Sequence, residues 1–234
     1  MGKRIIPQAR GKGSLSYRVK KKAFRYKIKY PMNEGEGQII KILNSPAHSA
    51  PLAKIKIGEE IFYNSAFNGA VEGQKIFAGG NEIKEGNIIA LKNIPVTTRI
   101  FNIENNPGDG GKMIRTSGSS AFVNKKYEDG KIEIVMPNKK KVSFDGDCRA
   151  TIGVVAGDGR KQKPFFKAGR KFYKMKARNK LWPRSSASKG NAVDHPFGSG
   201  RGGKGHRNKT VKRNAPPGRK VGHLRPARTG RRKR

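Results

Sequence analysis

Charge is segregated along this chain, and that constrains its fold more than any other feature. Residues 1–30 carry 11 Lys or Arg and no acid, and residues 31–160 carry 17 against 15 Asp or Glu. Residues 161–234 carry 25 against a single acid, Asp194. The two ends therefore hold nearly all of the formal net charge of +37. Like charges at that density repel one another, and a compact arrangement of such ends needs a dense polyanion. Nucleic acid fits that need best. The chain reads as a globular centre with two basic arms.

Only the balanced middle has enough Ile, Val, Leu and Phe for a packed core. It is long enough for two small barrels of roughly 60 residues each, near the lower limit for autonomous folding. The 30 Gly and 13 Pro, many of them in the ends, argue against long regular helices there. The single cysteine, Cys148, excludes an internal disulfide and a thiolate zinc cluster, and its apolar neighbours suit a small core or rim residue. The basic N-terminus lacks a following apolar stretch, so no secretory signal is expected. Nor is a membrane span expected, since no run approaches some 18 apolar residues. A soluble, intracellular protein is the expectation.

Turn punctuation and alternation predict a mainly β chain. In the N-terminal arm, residues 1–33, Tyr26, Ile28 and Tyr30 alternate with Lys27 and Lys29 at strand period. This predicts a first barrel strand, and a tyrosine there could also stack on a base. Residues 34–95 read as short strands at Gln38–Leu43, around Ala53–Ile57, Ile61–Phe67, Lys75–Ala78 and Asn87–Leu91. Ala53, Ile55 and Ile57 would face the core, with Lys54 and Lys56 on the other face. Five strands in that span suggest an OB-fold barrel.

Residues 96–172 form a second series, with Arg99–Ile103, Ala121–Tyr127, Lys131–Met136, Lys140–Phe144 and Ala150–Ala156. Asp129-Gly130 is a two-residue hairpin signal. Three successive hairpins suggest an SH3-like barrel. Lys167–Lys180 could form one helix with a weak apolar face, suited to lying on RNA. From residue 173 the chain is expected to be an extended basic tail, loop-like beyond Trp182-Pro183 to residue 234.

Enzymatic motifs are weak. Gly198–Gly205 matches two phosphate-loop patterns by spacing, but no strand precedes it and Gly205 replaces the magnesium-binding hydroxyl. His48, His195, His206 and His223 show no zinc-finger spacing, so no metal or other cofactor is expected. Asp194-His195 could orient an imidazole for proton transfer. Nothing nearby supplies a nucleophile, however, and an ion pair with a contact to RNA explains the pair as well. The tail alone does not distinguish DNA from RNA. Trp182, Phe197 and His195 set among arginines tilt toward irregular RNA, and a preceding OB-like barrel is an RNA platform.

Several segments together resemble the large-subunit ribosomal protein L2 family in its archaeal and eukaryotic form. Asn191-Ala192-Val193-Asp194-His195-Pro196-Phe197-Gly198 resembles the family's signature loop, and Ser49-Ala50-Pro51-Leu52-Ala53-Lys54-Ile55 the opening of its first barrel. Pro107-Gly108-Asp109-Gly110-Gly111, with Arg115, Ser117-Gly118 and Ala121, resembles the opening of its second. Arg149–Gly157 and Lys163–Gly169 resemble its close. The chain departs from the family pattern at Ser186–Gly190, Ala47-His48, Ser199 and Arg201.

The resemblance implies an OB-fold, an SH3-like barrel and a long tail threaded into large-subunit rRNA in the cytoplasmic ribosome. It implies a position near the peptidyl-transferase centre, roles in subunit association and tRNA-site architecture, and contacts with neighbouring ribosomal proteins and with tRNA or the small subunit. It implies no membrane and no small-molecule substrate. It also raises a catalytic question over His195, for which structural support of rRNA is the expectation.

The candidate rRNA-binding residues are Lys20, Lys21, Lys22 and Arg25 in the first arm and Arg149 in the second barrel. Around the helix they are Arg170, Lys171, Lys174, Arg178, Trp182 and Arg184, and in the signature loop Asn191, Asp194, His195 and Phe197. Arg201, Lys204, Arg207, Lys209, Arg225 and Arg228 complete the set in the tail. Trp182 and Phe197 are the candidates for stacking on an unpaired base.

Overall fold

The computed structural model describes residues 5–15, 17–199 and 210–226. The chain divides into two compact units: Lys20–Lys167, and Met1–Val19 together with Ala168–Arg234.

The first unit is built on strands β1 (Gly35–Leu43), β2 (Leu52–Ile57), β3 (Glu60–Ser65), β4 (Lys75–Ala78) and β5 (Ile88–Ala90). These are followed by β6 (Arg99–Phe101), β7 (Ala121–Lys126), β8 (Lys131–Val135), β9 (Lys141–Asp145) and β10 (Arg149–Ile152). All ten join one mixed sheet in the order β3-β2-β1-β4-β5-β10-β6-β7-β8-β9. The chain is thus mainly β, as its alternation predicts. In β2, Leu52, Ala53, Ile55 and Ile57 are buried while Lys56 is exposed, so period two decides the facing. Between Ile39 and Lys41 the β1–β2 register shifts, a bulge that leaves Ile40 exposed.

Two hydrophobic clusters fill the unit. One gathers Tyr30, Ile39, Ile55, Ile57, Phe62, Phe67, Ile76, Ile88, Phe101 and Val155. The other gathers Ile89, Leu91, Ile94, Ile100, Ile103, Val123, Ile132, Ile134, Phe144, Cys148 and Ile152. Neighbouring residues on β5 and β6 go to opposite clusters: Ile88 and Phe101 to the first, Ile89 and Ile100 to the second. These short strands are the wall between the cores, which is why they are apolar on both faces. Cys148 is fully buried in the second core, where desolvation, reinforced by Glu104 and Asp145, pushes its thiol up to about 11.

Three expectations need correction here. The hairpin at Asp129-Gly130 has a three-residue loop: Tyr127 N–H pairs with Lys131 O, and Gly130 takes φ +77° after the turn. That is the geometry of a turn followed by a left-handed glycine, which accommodates the strand twist as a two-residue loop would. Secondly, two successive hairpins form rather than three. After β9 the chain crosses to pair β10 between β5 and β6, leaving β9 at the sheet edge. Leu91 N–H to Cys148 O and Glu104 N–H to Arg149 O hold this crossing. Lastly, Ile28 makes only an isolated bridge to Tyr63, and Lys21–Phe24 is a 3₁₀ turn, so the expected first strand is reduced to one bridge. Tyr30 sits in the core at 1% exposed, where no base can reach it.

Among the described residues of the second unit, Ile5 and Val221 are the buried apolar side chains. Helix α1 (Ile6–Gly11) begins with Pro7 in its first turn, where a missing N–H is no loss. It was not foreseen, since six residues give too short a pattern. Helix α2 (Ala168–Ala177) buries none of its ten side chains. Asn179 ends it at φ +52°, with Lys180 N–H reaching back to Met175 O at 2.9 Å. Asparagine tolerates that left-handed cap. Beyond Trp182 the chain is mostly irregular, but β11 (Thr210–Val211) and β12 (His223–Leu224) form a short parallel pair not expected of a loop.

Candidate nucleic-acid interface

The compact unit is locked by buried polar groups that sequence patterning does not reveal. Asn64 Nδ2 donates to Thr151 Oγ1 at 3.0 Å, Thr151 Oγ1 lies 2.8 Å from Tyr30 Oη, and Tyr30 Oη donates to Asn102 O at 2.5 Å. Asn102 Nδ2 returns to Asn64 Oδ1 at 2.9 Å, and Arg115 Nε donates to Asn102 Oδ1 at 2.7 Å. With Tyr30 donating to Asn102, the Thr151 hydroxyl donates to Tyr30, so every link has one donor and one acceptor. Desolvation raises the Tyr30 phenol well above its ordinary value and keeps it neutral.

Beside this ring lies Glu104, 0% exposed. Its carboxylate accepts Arg149 N–H at 2.8 Å, Gly110 N–H at 3.0 Å and Gly108 N–H at 3.3 Å. It also pairs with the Arg149 guanidinium at 2.9 Å. A buried charge is tolerable only when paired and hydrogen-bonded in this way. Arg149 Nη1 donates to Pro31 O, and its guanidinium lies over the Tyr30 ring at 5.4 Å. The Pro107–Gly111 turn exists to present those amides to Glu104. Gly111 has φ +79°, and a Cβ there would stand 2.5 Å from Asn102 O, so only glycine fits.

This places Arg149 differently from the other candidate cations: its side chain is 20% exposed and engaged within the protein. Lys20, Lys21 and Arg25 are exposed at the Lys21–Phe24 turn, which also contains Lys22. Arg25 lies over Tyr26 at 5.8 Å, and Tyr26 rests against Tyr63 at 4.9 Å between centroids. Phe24 packs edge-on against His48, whose ring is held below its ordinary pKa by burial and then by Arg115. The structure thus adds Tyr63, from β3, as an aromatic neighbour of the first arm. Only the Ile28 bridge hinted at that pairing.

In the other unit, Arg170 and Arg184 are exposed, and Lys171, Lys174, Arg178 and Trp182 are half-buried. Lys171 Nζ stands over the Trp182 ring at 5.2 Å. Asn179 Nδ2 donates to the carbonyls of Leu15, at 3.0 Å, and Arg18. Nothing in the sequence pattern signalled that clasp.

The Asn191–Ser199 loop closes on itself. Asn191 O accepts from Asp194 N–H at 3.0 Å and His195 N–H at 3.2 Å, and Ser199 N–H reaches Gly190 O. A Cβ on Gly198 would run into Asn191 O, so the loop needs glycine there. Asn191 and Asp194 are exposed, and His195 and Phe197 half-buried with ring centroids 5.1 Å apart. Phe197 N–H donates to His195 Nδ1 at 3.1 Å, so a neutral ring carries its proton on Nε2. In that form Nε2–H is a donor suited to a phosphate or carbonyl oxygen, the reverse of what a general base needs.

Arg225 is exposed beside β12, its N–H on Val211 O. Arg201, Lys204, Arg207, Lys209 and Arg228 lie outside the described residues. Among the described residues no three His, Cys, Asp or Glu gather in a way that could hold a metal, and no helix is long and apolar enough to cross a membrane. The arrangement offers exposed cations and partly exposed rings: the groups that grip phosphates and stack on bases.

Comparison with known proteins bears on which polyanion is meant. The family model of ribosomal protein L2, C-terminal domain, matches residues 84–219. The chain is 47% identical to large ribosomal subunit protein uL2 of Archaeoglobus fulgidus, covering 98% of this chain and 99% of that one. It is 42% identical to uL2 of Methanospirillum hungatei (99% and 100% covered) and 41% identical to uL2 of Methanopyrus kandleri (99% and 98%).

Proposed function

The chain belongs to the ribosomal protein L2 family, and on that premise we propose that it is a structural constituent of the large ribosomal subunit that binds rRNA. The observation that carries the proposal is the contrast between its units. One is closed by buried hydrogen bonds and holds all but one of the chain's 16 acidic residues, while the other exposes cations along a helix with no buried side chain. Such a helix gains little from its own packing, and rRNA phosphates would supply what a core otherwise supplies.

On this reading β1–β5 and β6–β10 correspond to the OB-like barrel of residues 34–95 and the SH3-like barrel of residues 96–172. The barrels set orientation on the rRNA surface, and the arms at 1–33 and 173–234 neutralise crowded phosphates. Lys20, Lys21, Lys22, Arg25, Arg170, Lys171, Lys174, Arg178, Arg184, Arg225 and the cations at 201, 204, 207, 209 and 228 are the phosphate contacts. Asn191, Asp194, His195 and Phe197 hold a signature loop against rRNA near the peptidyl-transferase centre, with Trp182 a stacking residue. Arg149 acts indirectly, by fixing Pro31 and the turn below it. The role is non-enzymatic, in the cytoplasmic ribosome. It extends to neighbouring ribosomal proteins, to subunit association and to tRNA-site architecture.

Sedimentation of native lysate through a sucrose gradient at high salt, with and without RNase, tests this. Surface electrostatic binders are stripped at such ionic strength. Co-migration with the large subunit, abolished by RNase, is expected. Release to the top of the gradient, or persistence with DNA, would instead indicate a general nucleic-acid packing protein.

A further inference from the structure

A cavity of about 360 Å³ lies where α1, the segment around Tyr17 and the end of α2 meet. Its construction follows from Asn179. The left-handed cap turns the chain out of α2 into Leu181-Trp182, and the Asn179 amide clasps the carbonyls on either side of Tyr17. Two aromatic residues, Tyr17 and Trp182, therefore line one opening, together with Met175 and Leu181. Arg10 and Arg184 line it as well, and both are exposed. Lys171 Nζ stands over the indole at 5.2 Å, and Trp182 itself lines the cavity.

Flat apolar walls beside two guanidinium groups match a ligand that is flat, π-rich and bonded to phosphate. An apolar side chain of a protein partner would use the walls and leave the cations idle. A duplex would use the cations and could not enter. We infer that this cavity receives one unpaired base of the rRNA, stacked on Trp182, with its flanking phosphates on Arg10 and Arg184. The inference rests on the rRNA-binding function proposed above and assigns it a base-capturing site. The Lys171 ammonium, drawn to the indole face, holds the ring plane against the bound base.

Trp182 is the chain's single tryptophan, so its emission reports this site alone. The test titrates the full chain with an oligoriboadenylate and with an abasic oligomer of equal length and charge, at one fixed salt concentration. Both should bind through phosphate, and only the base-bearing oligomer should quench the indole. Trp182→Ala should weaken the base-bearing oligomer by about 5- to 150-fold and leave the abasic one within about twofold. Tyr17→Ala, which retains the reporter, should reduce the quenching. Binding of both oligomers with equal affinity and no difference in quenching would overturn the inference while leaving rRNA binding intact. Failure of both to bind would remove the rRNA-binding function and the base site with it.

Discussion

The unit at Lys20–Lys167 and the unit around α2 solve the same problem, how to hold a backbone still, by opposite means. The first uses two apolar cores, a shared wall of strands and a hydrogen-bonded seam of Tyr30, Asn64, Asn102, Thr151, Glu104 and Arg149. Several of its acidic groups are paired within the protein, among them Glu104 with Arg149, Asp109 with Lys112 and Asp147 with Lys92. The second has helix caps, the Asn179 clasp, a short strand pair and cation–π contacts at Trp182 and Phe172, with Arg10, Arg170 and Arg184 exposed. Order in one comes from burial, and order in the other is left for a polyanion to complete. Acidic residues separate the two: all but one of the 16 lie in the unit that packs on itself, and the unit that waits for phosphate has Asp194 alone.

This contrast can be broken most severely at Glu104. Glu104→Ala leaves the Arg149 guanidinium and three backbone amides facing a void, and should lower unfolding stability by about 3–5 kcal/mol in urea titrations. A loss below about 1 kcal/mol would mean that the seam is not what joins the cores. Tyr30→Phe should come next, with about 1–3 kcal/mol lost, because Thr151 Oγ1 and Asn102 O both lose a buried partner.

A smaller effect is expected from pH at Asp109. Burial alone would raise its carboxyl, but hydrogen bonds from Lys112, Asn106, Asn105 and Gly111 outweigh burial and hold it below its ordinary value. The folded pKa is then lower than the unfolded one. The stabilisation is complete above about pH 3.9 and is lost as pH falls through the folded value. Asp109→Asn should flatten that part of the stability–pH curve, and an unchanged acid limb would show that the turn carries no such linkage.

The smallest expected effect on stability is the most informative about function. Replacing Arg170, Lys171 and Lys174 together with Gln should leave the unfolding midpoint of the β unit unmoved. It should reduce the slope of log affinity against log salt for large-subunit rRNA by about two to three. A stability loss with an unchanged salt slope would mean that these cations serve packing rather than phosphate.

The sequence disclosed the β unit well because period-two alternation is strong where one face is buried. The strand at Lys75–Ala78 appears with the expected bounds, and Ala53, Ile55 and Ile57 face the core as their spacing implied. What stayed hidden depends on long-range geometry. Nothing local marks Asn102 or Thr151 as partners of Tyr30, 72 and 121 residues away, and an alternating tyrosine looks the same whether it faces solvent or a core. The crossing of β10 was masked for a similar reason. Turn residues at Asp145-Gly146-Asp147 signal a reversal but not which strand is met next.

In the basic unit the residue types were legible and their grouping was not. Trp182 stood out by its rarity, whereas its companionship with Lys171 and Tyr17 follows from the Asn179 cap and the carbonyls it clasps.

Hydrogen exchange on the full chain, free and in rRNA-bound large subunits, tests the central contrast most directly. Amides of β1–β10 should be protected in both states, and those of α2 and the Asn191–Ser199 loop only when rRNA is bound. Equal protection of α2 in the free chain would contradict the view that a polyanion completes its order.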